Sequence, residues 1–175
     1  HRDLHSFPTR RSSDLLIKIS GAERVLEIGM FTGYSTLKMA EALPDHGEIH
    51  TCELMENHII TAKGWFEKSE FNHKIHIHEG DATISLEEFR ISSFDMIFVD
   101  ADKTNYPKYY HKGTALLKKG GIAVFDNMLW SGTVLNTDDN DSKALRETAE
   151  LIKNDHSIEQ LLLPVRDGLM IYRKR

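Results

Sequence analysis

Two short runs set carboxylates and an amide at positions where they could do chemistry. FVDADK carries Asp100, Asp102 and Lys103 directly after an apolar stretch, and VFDN carries Asp126 and Asn127 after another. Asp100, Asp126 and Asn127 would offer three hard oxygen ligands. With water or substrate oxygens completing an octahedron, that set suits Mg²⁺ or another hard divalent cation far better than zinc. A third run, VLEIGMFTGYS from Val25 to Ser35, passes from a buried strand through a glycine turn into a helix. Gly29 and Gly33 let the backbone turn sharply and approach a ligand with no Cβ in the way. Glu27 sits just before the turn, and Tyr34, Ser35 and Thr36 begin a helix whose exposed amides face the same cleft. The glycine spacing is not the GxGxxG of a pyrophosphate loop, which disfavours NAD. A cofactor with a sulfonium and an amino-acid moiety fits better. Glu53 ends the next strand run, EIHTCE, where it can accept hydrogen bonds from both ribose hydroxyls.

These groups act together only if the chain gathers them. Strands are expected at Arg24 to Ile28, Glu48 to Cys52, Lys74 to His78, Phe94 to Val99 and Gly121 to Phe125. Helices are expected near Ser35 to Leu43, Glu56 to Ser69, Thr83 to Phe89 and Tyr106 to Leu117. Such alternation demands right-handed crossovers and a parallel sheet covered on both faces, and the apolar runs DMIFV and IAVF suit doubly buried strands. The carboxyl ends of those strands open onto one cleft. After Asp126 the pattern changes to a polar loop, a helix at about Ser142 to Asn154, and an antiparallel pair, Ile158 to Leu162 and Leu169 to Tyr172, with one strand antiparallel at the sheet edge. The fold class is therefore α/β, a Rossmann-like doubly wound, mostly parallel sheet of seven strands with an antiparallel C-terminal strand. Taken singly, each acid has a plainer use, because Asp at a strand end caps helices and Asp-Asn is a turn dipeptide.

At 175 residues the chain suits one domain with a core of its own. Its net charge of −5 and scattered basic residues argue against a nucleic-acid groove. The single cysteine, Cys52, lies in an apolar strand and excludes an internal disulfide framework. No run approaches the roughly 18 apolar residues of a membrane span, so the sequence reads as soluble and cytoplasmic. Ten histidines, among them His46, His50, His58, His73, His76 and His78, show no repeated ligand spacing and read as surface or strand-packing residues.

FVDADKTNYPKYY, then DNMLWSG, and finally LPVRDGLMIYRKR resemble the cation-dependent O-methyltransferases that use S-adenosylmethionine, the family that includes catechol and caffeoyl-coenzyme A O-methyltransferases. The resemblance covers about residues 16 to 175. It implies methyl transfer to a hydroxyl of a small phenolic molecule, with Asp100, Asp126 and Asn127 as metal ligands and Lys103 as general base. It further implies Glu53 as the ribose-binding acid, Asp100 beside the cofactor, Asp81 and Ala82 as the adenine-side turn, and Trp130 near cofactor or substrate. Phe31 and Tyr34 would wall the cleft, and Asp102 would cap a helix.

The first fifteen residues, HRDLHSFPTRRSSDL, carry no usable periodicity and resemble the read-through of a sequencing adapter, so the expected domain runs from 16 to 175. Relatives usually carry a further N-terminal helical segment that contributes to dimer contacts and to closure over substrate. The expectation is a homodimer in a full-length protein and uncertain activity in this chain. Two other readings stand beside the phenolic one: methylation of a hydroxyuridine in transfer RNA, and an inactive cofactor-binding remnant.

Overall fold

The structure, a computed structural model, describes residues 9–175. The adapter-like leader therefore lies outside the described residues for positions 1–8, whereas Thr9 onward belongs to helix α1 (Thr9–Ser20). Helix α1 thus begins well before Leu16, where the expected domain starts. Ser13 and Ile17 are fully buried where α1 packs on α2 (Tyr34–Ala42).

Strands β1 (Arg24–Ile28), β2 (Glu48–Glu53), β3 (Ile75–Glu79), β4 (Phe94–Val99) and β5 (Leu117–Phe125) are all parallel. The full order is β3-β2-β1-β4-β5-β7-β6, with β6 (Ile158–Leu163) and β7 (Leu169–Lys174) completing seven strands. The chain builds outward from β1 in one direction and then resumes at β4 in the other. The switch point is where an open α/β sheet leaves a crevice at its carboxyl ends. The C-terminal strand β7 is antiparallel as expected, but it runs between β5 and β6, so that β6 holds the edge.

The sheet's two faces bury separate cores. Leu26, Ile28, Ile97 and Val99 face α5 (Tyr106–Leu116) and α6 (Asn140–Asn154), while Val25, Ile49, Met96 and Val124 face α1 and α2. Alternate residues of each strand thus serve opposite layers, which is why these runs are continuously apolar. Helix α3 (Glu56–Phe66) closes the β2–β3 crossover, packing Ile59, Ala62 and Phe66 against Met30.

Several elements are shorter than their sequence signals suggest. Helix α4 is only Ala82–Ser85, continued by a 3₁₀ turn at Leu86–Glu88. Strand β3 starts at Ile75 because Lys74 closes a 3₁₀ turn, Asn72–Lys74; its buried Nζ donates to the Leu43 carbonyl at 2.9 Å, beyond the end of α2. The loop before α6 is pinned by Arg146, whose Nη1 donates to the Val134 and Thr137 carbonyls at 2.6 and 2.7 Å. Asp139 then caps α6 through the Ser142 N–H at 2.9 Å. Among the described residues no helix is long and apolar enough to cross a membrane.

Candidate active site

Register brings the strand ends into one row. The parallel ladder continues one residue past each strand: Gly29 N–H donates to the Cys52 carbonyl at 3.1 Å, Asp100 N–H to Ile28 at 2.9 Å and Asp126 N–H to Val99 at 3.0 Å. Gly29, Asp100 and Asp126 therefore stand abreast, with Glu53 closing β2 beside them. Two cavities flank the row. One of about 430 Å³ has Glu53, Asp81, Ala82 and Asp102 in its wall, and one of about 270 Å³ has Ser13, Tyr34, Ser35 and Asp126. Gly29, Phe31 and Asp100 line both.

The glycines are dictated by the chain's own packing rather than by the approach of a ligand. At Gly29, with φ +98°, a Cβ would lie 2.1 Å from the Asp100 carbonyl oxygen. At Gly33, with φ +83°, it would meet the Phe66 ring at 2.6 Å. Gly29 still lines the cleft, whereas neither cavity wall includes Gly33.

Glu27, expected with the glycine turn among the cofactor-binding residues, lines neither cavity. It does not reach the cleft but lies fully buried below it, where its carboxylate accepts hydroxyl hydrogen bonds from Ser35 (2.5 Å), Thr36 (2.5 Å) and Thr51 (2.6 Å). Burial raises its carboxyl above the ordinary range, and the three hydroxyls only partly offset that. Glu27 ties the start of α2 to β1 and β2, and so fixes the turn that carries Phe31. Ser35 serves both, bonding Glu27 while lining the smaller cavity.

Glu53 is nearly buried and shapes the larger cavity. Its Oε2 accepts the Phe31 N–H at 2.7 Å, and its Oε1 accepts the Met55 N–H at 2.9 Å with His58 Nδ1 at 3.3 Å. The first bond holds Phe31 at φ +53°, a left-handed conformation that a bulky residue adopts only when its surroundings enforce it. The exposed Phe31 ring then meets His58 edge-on at 4.5 Å. Across the cavity, Asp81 caps α4 through the Thr83 N–H at 2.7 Å, and those Thr83 bonds hold its carboxyl below the usual value.

The two acids of the row differ in environment. Asp100 is half exposed, while Asp126 is almost wholly buried. Burial first, and then the negative charge of Asp100, raise the Asp126 carboxyl to about 6. Asn127 follows in the left-handed region (φ +62°), a conformation asparagine tolerates, and its N–H donates to Asp126 Oδ1 at 2.7 Å. The Asp102 side chain does not cap the following turn, since it accepts no backbone N–H there. Its carboxylate instead accepts Tyr109 OH and Asn105 Nδ2, both at 2.6 Å.

Lys103 is no solvated helix-start lysine, since its side chain is only 5% exposed. Its Nζ lies 3.3 Å from Asp100 Oδ1 and donates to Tyr106 OH at 2.5 Å. The Tyr106 hydroxyl in turn donates to the Asp126 carbonyl at 2.9 Å. Trp130 stands over the same ammonium, its ring centroid 5.7 Å from Nζ. The structure thus brings together Asp100, Lys103, Asp126 and Trp130 as the sequence suggested, and adds Tyr106. The signal for Tyr106 was present in KTNY, since a tyrosine three residues after a lysine at a helix start lies on the same side of the turn.

Comparisons with known proteins point to one family. Residues 10–175 match a family model described as O-methyltransferase. Tricin synthase 1 of Oryza sativa subsp. japonica is 35% identical over 176 residues, covering 91% of this chain and 70% of that protein. Caffeoyl-CoA O-methyltransferase 1 of Zea mays is 38% identical over 174 residues, covering 92% and 67% respectively. The crystal structure of the O-methyltransferase from Bacillus cereus in complex with SAH superposes with a TM-score of 0.90 at 31% identity, over 96% of this chain and 81% of that one.

Proposed function

The chain belongs to the O-methyltransferase family, and from that premise we propose that it moves the methyl group of S-adenosylmethionine to a hydroxyl of a small catechol-like or hydroxycinnamoyl-type molecule, with Mg²⁺ or another hard divalent cation as cofactor. The observation that carries this reading is the row at the strand ends: Asp100 and Asp126 share one cavity wall, with a buried ammonium 3.3 Å from Asp100.

The donor set fits such a cation. Two carboxylates and an amide oxygen on adjacent strand ends are hard ligands, and the mutual repulsion of Asp100 and Asp126 is the kind a bound divalent ion relieves. Asp100, Asp126 and Asn127 would hold it. When bound, a hard cation lowers the pKa of the oxygens it ligates, so that one of two adjacent hydroxyls is a nucleophile near neutral pH.

Methyl transfer is an in-line displacement, and alignment supplies most of what a protein can contribute. Glu53 would accept the ribose hydroxyls of the methyl donor in the larger cavity, with Asp81 and Ala82 on its adenine side. Phe31, Gly29 and Tyr34 would wall the passage between the cavities. Lys103, entering the step as the free amine, would take the proton leaving the acceptor hydroxyl and become an ammonium, held in place by Tyr106. Trp130 would lie against the acceptor ring.

The test is an assay with labelled S-adenosylmethionine and a panel of catechols, hydroxycinnamoyl thioesters and unmodified transfer RNA, each run with Mg²⁺ and with EDTA. Turnover of a vicinal diol that is lost on chelation supports the reading. Turnover undiminished by EDTA, or confined to transfer RNA, contradicts it.

A further inference from the structure

The amino-terminal halves of β2 and β3 carry a group of imidazoles that methyl transfer does not use. Glu48 and His50 alternate onto one face of β2, and the parallel register pairs His50 with His76 on β3. Glu48 Oε1 lies 3.3 Å from His50 Nε2, and Glu48 Oε2 lies 3.5 Å from His76 Nε2. The two rings stack with centroids 4.8 Å apart, and one ligand atom from each of the three residues falls within 4.8 Å of the others.

We propose that Glu48, His50 and His76 form a zinc site on the sheet face, independent of the catalytic cleft. Zinc binds imidazole nitrogen and carboxylate oxygen at about 2.0–2.2 Å, which in a tetrahedron sets neighbouring ligand atoms about 3.3–3.6 Å apart. Glu48 Oε1 already keeps that spacing to His50 Nε2 and Oε2 keeps it to His76 Nε2, so a small turn of the carboxylate brings one oxygen toward both. Two nitrogens and a carboxylate oxygen make a borderline donor set that suits zinc, with a fourth position left for water.

The surroundings orient the ligands as such sites require. His50 Nδ1 faces His78 Nε2 at 2.9 Å, so that with Nε2 on the metal the Nδ1–H donates to His78 and fixes the tautomer. His50 is the sheltered member, 12% exposed, while His76 at 47% and Glu48 at 39% leave a path from solvent. Five residue steps along β2 separate Glu48 from Glu53, roughly 16 Å at strand rise, which keeps the site clear of the cleft. A metal here would clip the edge strand β3 to its neighbour.

Arg24 is the competitor. Its Nε lies 2.7 Å from Glu48 Oε1 and its Nη2 lies 3.2 Å from His50 Nε2, with the guanidinium 4.8 Å from the Phe94 ring centroid. It neutralises the carboxylate in the metal-free chain and must swing aside for zinc, which its partly exposed side chain permits. Its removal should tighten binding.

The experiment is calorimetric titration of the chain with Zn²⁺ alone, repeated with Co²⁺ while following the visible absorption of tetrahedral cobalt. The variants are His76→Ala, His78→Ala, Arg24→Gln and Asp126→Asn, each checked for an unchanged circular-dichroism spectrum. We expect one ion per chain in a site that persists in Asp126→Asn and tightens in Arg24→Gln. Affinity should fall about 10- to 100-fold in His78→Ala and further still in His76→Ala. A His76→Ala titration that superimposes on the parent's overturns the proposal, as does loss of the site in Asp126→Asn. No methyl donor enters the measurement, so its outcome is separate from that of the methyl-transfer reading.

Discussion

Tyr106 OH stands 2.5 Å from Lys103 Nζ and 2.9 Å from the Asp126 carbonyl, so one fully buried phenol spans the ammonium and the backbone of the neighbouring strand end. Burial, with the charges of Asp100 and Asp126, pushes that phenol well above its ordinary value and keeps it a donor. Position for Lys103 therefore comes from a residue that touches neither cavity wall.

Lys103→Met is expected to lower kcat by about 10²- to 10⁴-fold, the usual worth of a general base. Tyr106→Phe leaves the base present but loosely held, and should lower kcat by up to about 10²-fold with little change in KM for the methyl donor. It also strips the Asp126 carbonyl of a buried donor, at a cost of about 1–3 kcal/mol in denaturant unfolding. Steady-state kinetics beside urea titrations separate the two effects.

Gly29→Ala should fail to fold stably, because its Cβ would sit 2.1 Å from a backbone oxygen at a positive φ. Gly64→Ala, within α3 and with nothing inside 4 Å of the new methyl, should gain about 0.5–1 kcal/mol from helix propensity alone. Thermal melts of both variants check the pair.

These glycines show how far the sequence could be read. A parallel sheet gathers the carboxyl ends of its strands, so VLEIG, FVD and VFD mark Gly29, Asp100 and Asp126 as neighbours. Pairings that depend on register or on side-chain depth were not legible. Glu27 looked like a cleft residue, yet Thr51 from the adjacent strand and two hydroxyls from α2 draw it beneath the floor. Glu48 and His50 stand two apart on one face of β2, but His76 joins them only through the register of β2 with β3. Placement of β7 inside β6 is likewise a tertiary choice, since both orders give the same antiparallel hairpin.

Cys52 should resist thiol reagents in the folded protein. Its side chain is 1% exposed, and burial together with the Glu27 charge pushes the thiol up to about 12, so neither access nor thiolate is available at neutral pH. Labelling by a chromogenic disulfide is expected to be negligible natively and to reach one thiol per chain in denaturant.

Acid stability should depend on Asp95. Burial works to raise its carboxyl, but Lys118 at 2.7 Å and the N–H groups of Arg24 (2.8 Å) and Glu23 (3.2 Å) outweigh it and hold it below the ordinary value. A depressed folded pKa contributes stability that is full above the unfolded value, about 3.9, and is lost as pH falls through the folded one. Asp95→Asn should therefore be less stable than the parent at pH 7, with the gap narrowing below about pH 4. Urea midpoints across pH 3–7 provide the check.

The most direct test of the row of strand-end acids as the catalytic centre is Asp126→Ala, measured twice on the same preparation. Calorimetry with S-adenosylmethionine should give nearly the parent's affinity, because Glu53 and the larger cavity are untouched, while methyl transfer to a catechol in Mg²⁺ falls to background. Equal loss of donor binding and turnover would make Asp126 a structural residue, and undiminished turnover would contradict the account outright.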